Sequence, residues 1–302
     1  MSLLSDTNHS PQRVFALLRL LEAEGGSLDF DAIKTWFKPE FRGGENRGSE
    51  GEHINIRQML GAATSLDLIT SDAQNHYRLL GAVPASLDAF ADAVHDRLVG
   101  VTWEDADSII LEAFAAMITV SEVEHGTAWL DGNAKERASR INKAVRRDDT
   151  DDEDESRNRF NATKASPWKR WIVFLGLGLS MPKGDLYPYP VSRLEREIVR
   201  MRLAGTLGEE TEIEPFLENI AARMPYLDGG RLFAASADQI RLPPMGRRLS
   251  RVLTGALRDL HDDNRIALDT IGDAKERYEM TGEPHVVKSI KGVRLIMEAS
   301  HG

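Results

Sequence analysis

Residues 11–24 read Pro11-Gln-Arg-Val-Phe-Ala-Leu-Leu-Arg-Leu-Leu-Glu-Ala-Glu24, and this stretch sets how the fold begins. Its apolar side chains, among them Val14, Leu17 and Leu21, recur at the three- and four-residue spacing of one helical face. Ser10 is suited to cap the helix, and a proline at the first helical position gives up only a hydrogen bond that the first turn lacks anyway. A glycine pair follows and ends the helix. We therefore predict an amphipathic helix at the start of the chain.

Two further helices and a hairpin follow this helix. Helical periodicity extends over residues 29–37 and 54–66, and two strand-like runs, Leu68–Thr70 and His76–Leu80, flank a polar turn. Three helices followed by a hairpin is the element order of a winged helix, whose third helix enters the major groove of DNA while the hairpin, or wing, lies along the backbone. We therefore predict an N-terminal winged helix in residues 1–82.

The polar positions of this predicted domain supply candidate DNA contacts. These are Asn55, Arg57, Gln58, Thr64, His76 and Arg78. Winged helices also serve as protein–protein modules, and the predicted third helix carries one arginine within a segment that is net acidic. Because a fold does not by itself decide function, both interpretations stay open.

The segment from residue 83 to 147 is predicted to be helical. Helices are indicated over residues 87–99, 104–118 and 134–147. The acidic residues at positions 104, 105 and 107 fit the first turn of the second of these helices, where the helix dipole favours negative charge. We interpret this segment as a solvated helical spacer or a docking surface.

Negative charge is concentrated in one part of the chain. The formal net charge is −10, and residues 81–160 carry nine Lys and Arg against eighteen Asp and Glu. Seven of the eight residues from 148 to 155 are acidic, and because such a run repels itself, residues 148–158 are interpreted as an acidic linker. A calcium loop needs spaced ligands and a turn glycine, which this run lacks. The charge excludes a uniformly basic nucleic-acid binder and leaves local basic patches open.

Residues 157–179 interleave cations with aromatic rings, within a predicted basic and aromatic helical region at residues 159–205. That composition is typical of surfaces that grip nucleic acid, with cations on phosphates and rings stacked on bases. The rings also have the spacing of a buried helical face, which favours core positions for the rings and exposed positions for the cations. The candidate DNA contacts are Lys164, Lys169 and Arg170, and the rings are Phe160, Trp168 and Trp171.

The same region carries a family resemblance. Phe160-Asn-Ala-Thr-Lys164, Trp168 to Trp171 and Phe174-Leu-Gly-Leu-Gly178 resemble the DpdG proteins, and the Met-Ser-Leu-Leu start agrees with this. The resemblance implies a context, because DpdG proteins are encoded with bacterial systems that place 7-deazaguanine bases in DNA and restrict unmodified DNA. It implies no reaction, since no catalytic motif carries over from the family.

A second winged-helix-like domain is predicted in residues 206–302. A helix is indicated over residues 245–260, and strand-like runs at residues 266–269 and 277–280 are predicted to form a hairpin. The helix has an apolar face, which includes Leu253 and Leu257, and, opposite to it, a basic stripe. For a recognition helix with a wing, the candidate DNA contacts are Arg247, Arg248, Arg251, Thr254, Arg258, Lys275 and Arg277. The alternative is a solvated face whose arginines pair with nearby aspartates.

Catalytic motifs are sparse in this sequence. It has no cysteine, which excludes disulfides, thiolate metal sites and a cysteine nucleophile. Its eight histidines form no pair at metal-ligand spacing, and it has neither a Walker A motif nor Gly-x-Ser-x-Gly. One loose match to magnesium-dependent nucleases combines Asp263 with Asp273 and Lys275. We expect no cofactor and no catalysis, with a cryptic nuclease as the alternative.

Membrane attachment is not expected. The most apolar run, Trp171–Leu179, is far shorter than the roughly 20 residues of a transmembrane helix, and the first ten residues do not resemble a signal peptide. We expect a cytoplasmic, mainly α protein with two winged-helix-like domains joined by a helical middle region. Its expected role is a non-catalytic DNA-binding or adaptor subunit of a multi-protein restriction system, with double-stranded DNA and other proteins of a defence complex as partners. A scaffold that contacts only proteins is a third possibility.

Overall fold

The structure is a computed structural model that describes most of the chain. It describes residues 2–5, 10–37, 50–145, 158–181, 186–270, 277–282 and 285–296, and for residues 50–55 the backbone alone. The acidic run at residues 148–155 lies outside the described residues, as do Asp273 and Lys275. The described part is mainly α-helical with small sheets, which confirms the predicted fold class at that level.

The elements of the described residues are numbered here in chain order. The helices are α1 (Pro11–Ala23), α2 (Phe30–Phe37), α3 (Glu50–Ser65), α4 (Leu87–Gly100), α5 (Ile109–Val123), α6 (Ala134–Ala144), α7 (Ala162–Phe174), α8 (Val191–Leu203), α9 (Ile213–Arg223), α10 (Arg231–Gln239) and α11 (Arg251–Asp262). The strands are β1 (Ser27–Asp29), β2 (Ile69–Ser71), β3 (His76–Leu79), β4 (Gly178–Ser180), β5 (Leu186–Pro188), β6 (Glu210–Glu212), β7 (Arg248–Leu249), β8 (Ile266–Asp269), β9 (Tyr278–Met280), β10 (Ser289–Ile290) and β11 (Gly292–Leu295).

The chain divides into two compact units. Unit 1 is Met1–Ser108 with Thr163–Phe174, and unit 2 is Ile109–Ala162 with Leu175–Gly302. The five-part division drawn from the sequence stays a prediction. Among the helices that the structure describes, none combines the length and the apolar composition needed to cross a bilayer.

Unit 1 begins with a helix, a strand, two helices and two strands. Helix α1 buries Val14, Leu17 and Leu21, as their spacing predicts, and packs against α3 and β3. Strands β1, β3 and β2 form an antiparallel sheet in that order. The predicted hairpin is confirmed, since β2 and β3 pair with Ile69 opposite Leu79.

An aromatic cluster joins three helices of unit 1. Phe90 of α4 stacks on Phe15 of α1 with ring centroids 5.4 Å apart, and it contacts Phe174 of α7 at the same centroid distance. Trp171 meets Phe174 edge-on at 6.0 Å. Such contacts add to the stabilisation that ring burial already provides. The cluster holds α7 against helices that precede it far along the chain.

Asp107 lies outside the helix in which the sequence placed it. The predicted helix over residues 104–118 is displaced, since α5 begins at Ile109. Asp107 is buried and accepts hydrogen bonds from the Leu3 amide at 2.7 Å, from the Ser2 hydroxyl at 2.8 Å and from the Ser65 hydroxyl. Several donors satisfy a buried carboxylate better than a helix dipole does. The carboxylate therefore ties the N-terminal turn to the end of α3.

Helix α5 lies at the centre of unit 2. Its residues from 109 to 122 are all buried, and it packs against α6, α10 and α11. A helix that is apolar on all sides is expected to be buried in this way. Its polar side chains have partners, since Thr119 shares a 2.7 Å hydrogen bond with Ser236 of α10, and the Trp129 indole donates to Ser121 over 3.1 Å.

Unit 2 repeats the element order of unit 1. Its elements α8, β6, α9, α11, β8 and β11 follow one another as α1, β1, α2, α3, β2 and β3 do, and β11 lies between β6 and β8 as β3 lies between β1 and β2. Helix α10 and strand β7 are inserted before α11, and strands β9 and β10 are inserted between β8 and β11.

The predicted hairpin between residues 266–269 and 277–280 is wrong. Strand β8 pairs with β11, with Leu268 opposite Val293, and both of these side chains are buried. Strand β9 pairs instead with β10 and, in parallel, with β7, where the buried Leu249 lies opposite the buried Met280. Apolar cross-strand pairs stabilise a sheet, and they favour these partners over the nearest strand in sequence.

Gly230 allows a close approach of two backbone segments before α10. A Cβ atom at this position would lie 2.3 Å from the Pro225 carbonyl oxygen. The amides of Leu232 and Phe233 donate to the same oxygen at 2.8 and 3.1 Å, so the turn cannot move away without losing these hydrogen bonds.

Candidate nucleic-acid interface

Helix α3 of unit 1 leaves polar positions exposed. Arg57 and Thr64 face solvent, and the Arg57 guanidinium lies 5.1 Å from the centroid of the Phe30 ring at the start of α2. Stacking of this kind restrains a cation without removing its charge. Gln58 is half-buried, and for Asn55 the backbone alone is described.

One aspartate shapes the turn between β2 and β3. Asp72 Oδ1 accepts hydrogen bonds from the Gln74 and His76 amides, both at 2.9 Å, and Asn75 has a φ of 60°, which asparagine tolerates. The hydrogen bond from the His76 amide is the main reason why the pKa of Asp72 is lowered. The tip of the hairpin is therefore short, and its own residues set its shape.

Strand β3 presents a cation on the exposed face of the hairpin. Arg78 is exposed and lies in register between Ser27 of β1 and Thr70 of β2. Its nearest neighbours across the sheet are therefore neutral hydroxyl side chains. His76, two residues earlier, is exposed as well and lies 3.4 Å from the Asp72 carboxylate. Unit 1 therefore exposes one arginine on α3, Arg57, and another on the hairpin that comes after α3, Arg78.

The aromatic rings around α7 belong to the core. Phe160, Trp168 and Trp171 expose 1%, 4% and 0% of their surface. This confirms the core position favoured by their spacing, and the interpretation that they stack on bases is wrong. Arg170 is exposed, while Lys164 and Lys169 are half-buried. Their contact with DNA stays a prediction.

The sequence predicted a helix that begins at Met245, but α11 begins at Arg251. Ser250 caps it, because its hydroxyl oxygen accepts a hydrogen bond from the Leu253 amide at 3.2 Å. The preceding residues pair with β9 as strand β7 and so cannot continue the helix. Arg247 and Arg248 therefore do not lie on the helix.

The predicted basic stripe on α11 is also wrong. Thr254 and Arg258 expose 1% and 8% of their surface, because the segment between β9 and β10 covers them. The Thr281 amide donates to Thr254 Oγ1 over 3.1 Å, and the Thr281 hydroxyl donates to the Leu249 carbonyl over 2.6 Å. Arg258 Nη2 donates to the Val287 carbonyl over 2.9 Å, and burial lowers the pKa of Arg258. Neither covered side chain reaches DNA unless that segment moves away.

The other C-terminal candidates differ in exposure. Arg247 forms a 2.7 Å ion pair with Glu214, and its guanidinium lies 5.7 Å from the centroid of the Tyr278 ring. Arg248 is exposed, Arg251 and Arg277 are half-buried, and Lys275 lies outside the described residues. The structure therefore does not bring these residues together on one helical face.

Two buried carboxylates hold the start of α11, and no sequence pattern indicated them. Asp228 accepts the Ser250 amide at 2.6 Å and the Ser250 hydroxyl at 2.5 Å, and Glu122 accepts the Arg251 amide at 2.6 Å. Amides of a first helical turn lack partners inside the helix, so these bonds stabilise α11. Burial raises the pKa of Asp228 to about 6, although both bonds from Ser250 act in the opposite direction.

The chain was compared with models of known families, with curated proteins and with solved structures. The model of the DpdG-like family matches residues 1–274. The chain belongs to the DpdG-like family. No curated protein and no solved structure matches it.

Membership of the DpdG-like family confirms the resemblance carried by residues 160–178. It connects the chain with the Dpd systems of 7-deazaguanine modification. The DpdG-like match includes all of unit 1 and, in unit 2, extends through α11 and β8, while β9, β10 and β11 lie beyond it.

Proposed function

We propose that the chain is a non-catalytic DNA-binding or adaptor subunit of a Dpd system, and that α3 and the β2–β3 hairpin of unit 1 contact duplex DNA. The observation that carries the proposal is the order of elements in unit 1, a helix, a strand, two helices and two strands, paired as β1–β3–β2. This order is that of a winged helix, in which the third helix enters a groove and the hairpin follows the backbone. The family context supports DNA as the ligand.

Exposure favours unit 1 over unit 2 as the DNA-binding part. Both units have the same order of elements, so α11 corresponds to α3. The polar side of α11 is covered, with Thr254 and Arg258 buried, whereas Arg57 and Thr64 of α3 are exposed. A side chain must be exposed to solvent before it can contact phosphates or base edges. The N-terminal copy therefore fits the role better, although the sequence offers fewer cations there.

The exposed cations predict a small electrostatic footprint. Arg57 on the helix and Arg78 on the hairpin are separate side chains, each able to neutralise one phosphate. Each such contact contributes about 0.9 to the slope of log K against log salt concentration. Replacing both arginines is therefore expected to lower that slope by about two and to weaken binding to any duplex sequence.

A salt titration of duplex DNA tests this assignment. The wild-type chain is compared with Arg57→Gln/Arg78→Gln by fluorescence anisotropy, on one duplex with guanine and on one with 7-deazaguanine bases. Arg13→Gln/Arg19→Gln is the matched control, since it removes two positive charges that are exposed on α1 of the same unit. The control is expected to bind as the wild type does.

Four results bear on the proposal, and the first three of them would overturn parts of it. No binding at low salt leaves a scaffold that contacts only proteins. An unchanged salt slope in the double variant removes α3 and the hairpin from the interface. Magnesium-dependent cleavage that disappears in Asp273→Asn/Lys275→Met replaces the non-catalytic role with that of a nuclease. Equal affinity for both duplexes shows that the chain itself does not read the modification.

A further inference from the structure

Unit 2 contains a groove that the winged-helix order does not require. The groove lies between α9 and α10 and is bounded by the loop of residues 242–246 and by β7. Its volume is about 690 Å³. A volume of this size accommodates several side chains of a ligand.

Part of the lining of the groove is apolar. Helix α9 contributes Leu217 and Ala221, and helix α10 contributes Phe233 and Ala237. On each helix these two residues are four positions apart, so they lie on one face. The alanines leave the space that longer side chains would fill. Apolar side chains that enter this space lose contact with water, which favours binding.

The rim of the groove is acidic. Glu214 and Glu218 of α9 and Asp238 of α10 line it, and the buried Asp228 is also part of the lining, against one arginine, Arg248 of β7. The side chains of Glu218 and Asp238 are exposed. Carboxylates on a rim repel the phosphates of nucleic acid and attract lysine and arginine. The charge of this groove therefore fits a basic ligand and opposes DNA.

The chain already binds one guanidinium at this rim. Arg247 forms a 2.7 Å ion pair with Glu214 and lies 5.7 Å from the centroid of Tyr278, which also lines the groove. A carboxylate and an aromatic ring together are a favourable setting for arginine. Glu218, one helical turn from Glu214, offers a carboxylate to a cation that comes from outside.

We propose that the groove between α9 and α10 docks a basic amphipathic helix of another protein. One face of that helix places apolar side chains against Leu217, Phe233 and Ala237, and its lysines or arginines meet Glu218 and Asp238. This is the helix-in-groove mode of recognition. Helix α10 has nine residues and spans about 13 Å, so it faces roughly two to three turns of the bound helix. The proposal does not depend on DNA binding by unit 1.

A designed peptide serves as the probe. A fluorescein-labelled Leu/Lys peptide of about 18 residues, long enough to form a helix, carries leucines at helical spacing along one face. A scrambled peptide of the same composition keeps the charge and removes the apolar face. Anisotropy titration with the full chain is expected to show saturable binding of the patterned peptide, and at least about tenfold weaker binding of the scrambled one, which is about 1.4 kcal/mol.

Two neighbouring alanines of α10 give a matched pair of variants. Ala234 lines the groove and is exposed, so Ala234→Trp fills the groove without entering the core. Ala235 is exposed on the same helix and is not among the residues that line the groove. Ala234→Trp is expected to weaken binding about tenfold or more, while Ala235→Trp leaves it unchanged. Equal effects of the two variants would refute the location.

A second pair separates local charge from net charge. Glu218→Lys/Asp238→Lys is expected to weaken binding about tenfold, whereas Glu24→Lys/Glu209→Lys, which changes the net charge equally on exposed residues elsewhere, has little effect. Similar losses in both variants would show attraction to an acidic protein and overturn the proposal. So would displacement of the peptide by duplex DNA, or self-association of the chain that Ala234→Trp abolishes, which would make a second copy the occupant.

Discussion

The carboxyl group of Asp228 makes the stability of unit 2 depend on pH. Asp228 exposes 9% of its surface, and burial raises its pKa to about 6 although Ser250 donates two hydrogen bonds to it. A raised carboxyl pKa means that the folded chain binds the proton more tightly than the unfolded chain does. The stabilisation from this group is therefore complete below about pH 4, the ordinary range of an aspartate, and is lost as the pH rises through about 6.

The size of this effect follows from the two pKa values. The interval from the ordinary 3.8 to about 6, at 1.36 kcal/mol per pKa unit, corresponds to about 3 kcal/mol. Asparagine has nearly the same shape, keeps one oxygen to accept the Ser250 amide, and does not ionise. The free energy of unfolding of Asp228→Asn, relative to that of the wild type, is therefore expected to rise by about 3 kcal/mol between about pH 4 and pH 7.

Urea unfolding followed by circular dichroism at several pH values measures this difference. Asp238→Asn is the control, since Asp238 is an exposed aspartate of α10 and its replacement changes the formal charge equally. Because this control keeps Asp228, its stability is expected to fall between pH 4 and pH 7 in parallel with that of the wild type. Parallel curves for Asp228→Asn as well would refute the reasoning, because ionisation of Asp228 would then cost nothing in the folded chain.

Three further substitutions test the packing and the capping described above. Gly230→Ala is expected to destabilise the chain by about 3 kcal/mol, because the added methyl group would lie 2.3 Å from a backbone oxygen. Its control, Gly255→Ala, is in an open position of α11 and is expected to stabilise the chain by up to about 1 kcal/mol. Thermal unfolding that ranks the two variants in the opposite order would contradict the geometry. Ser250→Ala is expected to lower the free energy of unfolding by about 3 kcal/mol, since it removes both a helix cap and a donor to a buried carboxylate. Ser86→Ala, which removes an exposed cap of α4, is expected to lower it by about 1 kcal/mol. Equal losses in urea unfolding would show that the hydrogen bond to the carboxylate adds nothing. Arg258→Met removes the donor to the Val287 carbonyl, which lies between β9 and β10. The rate of amide hydrogen exchange in these two strands is therefore expected to rise about tenfold. An unchanged rate would show that the arginine does not hold this segment in place.

Local patterns predicted the first three helices and the hairpin of unit 1, but not strand β1. The apolar spacing of Val14, Leu17 and Leu21 predicted α1, and the polar turn predicted the β2–β3 hairpin. Both depend on neighbours within a few residues, and the ends of an element follow from the same short-range signals. The sequence placed the start of α3 at Ile54, four residues after its start at Glu50 in the structure, because periodicity locates a helix better than it locates the ends of that helix.

The polar side of α11 shows where periodicity stops being informative. Helical spacing separates the apolar side from the opposite side, and it identified the buried Leu253 and Leu257 correctly. It does not indicate what lies over the opposite side. Thr254 meets Thr281, 27 residues later, and Arg258 meets Val287, 29 residues later. These contacts follow from the tertiary fold, which turned a predicted basic stripe into a covered surface.

Buried carboxylates were missed for a related reason. Glu122 accepts the Arg251 amide across 129 residues of sequence, and Asp228 accepts both groups of Ser250 across 22. An isolated acidic residue is far more often solvated than bonded to the start of a helix. Glu122 reaches α11 because α5 packs against it, and Asp228 reaches Ser250 from the loop between α9 and α10, so the tertiary fold alone shows that these acids complete a helix start.

The two copies of the same element order differ most in the connection between their last two strands. In unit 1, the turn after β2 runs from Asp72 to Asn75 and is held by its own hydrogen bonds, and Arg57 stays exposed. In unit 2, the connection from β8 to β11 contains β9 and β10 and covers α11, where its backbone takes the hydrogen bond of Arg258. A phosphate must displace that bond before it reaches the arginine, and a buried donor or acceptor left unpaired costs about 1–3 kcal/mol. Under the proposed function, the length of this connection therefore matters more for contact with DNA than the number of cations on the helix before it.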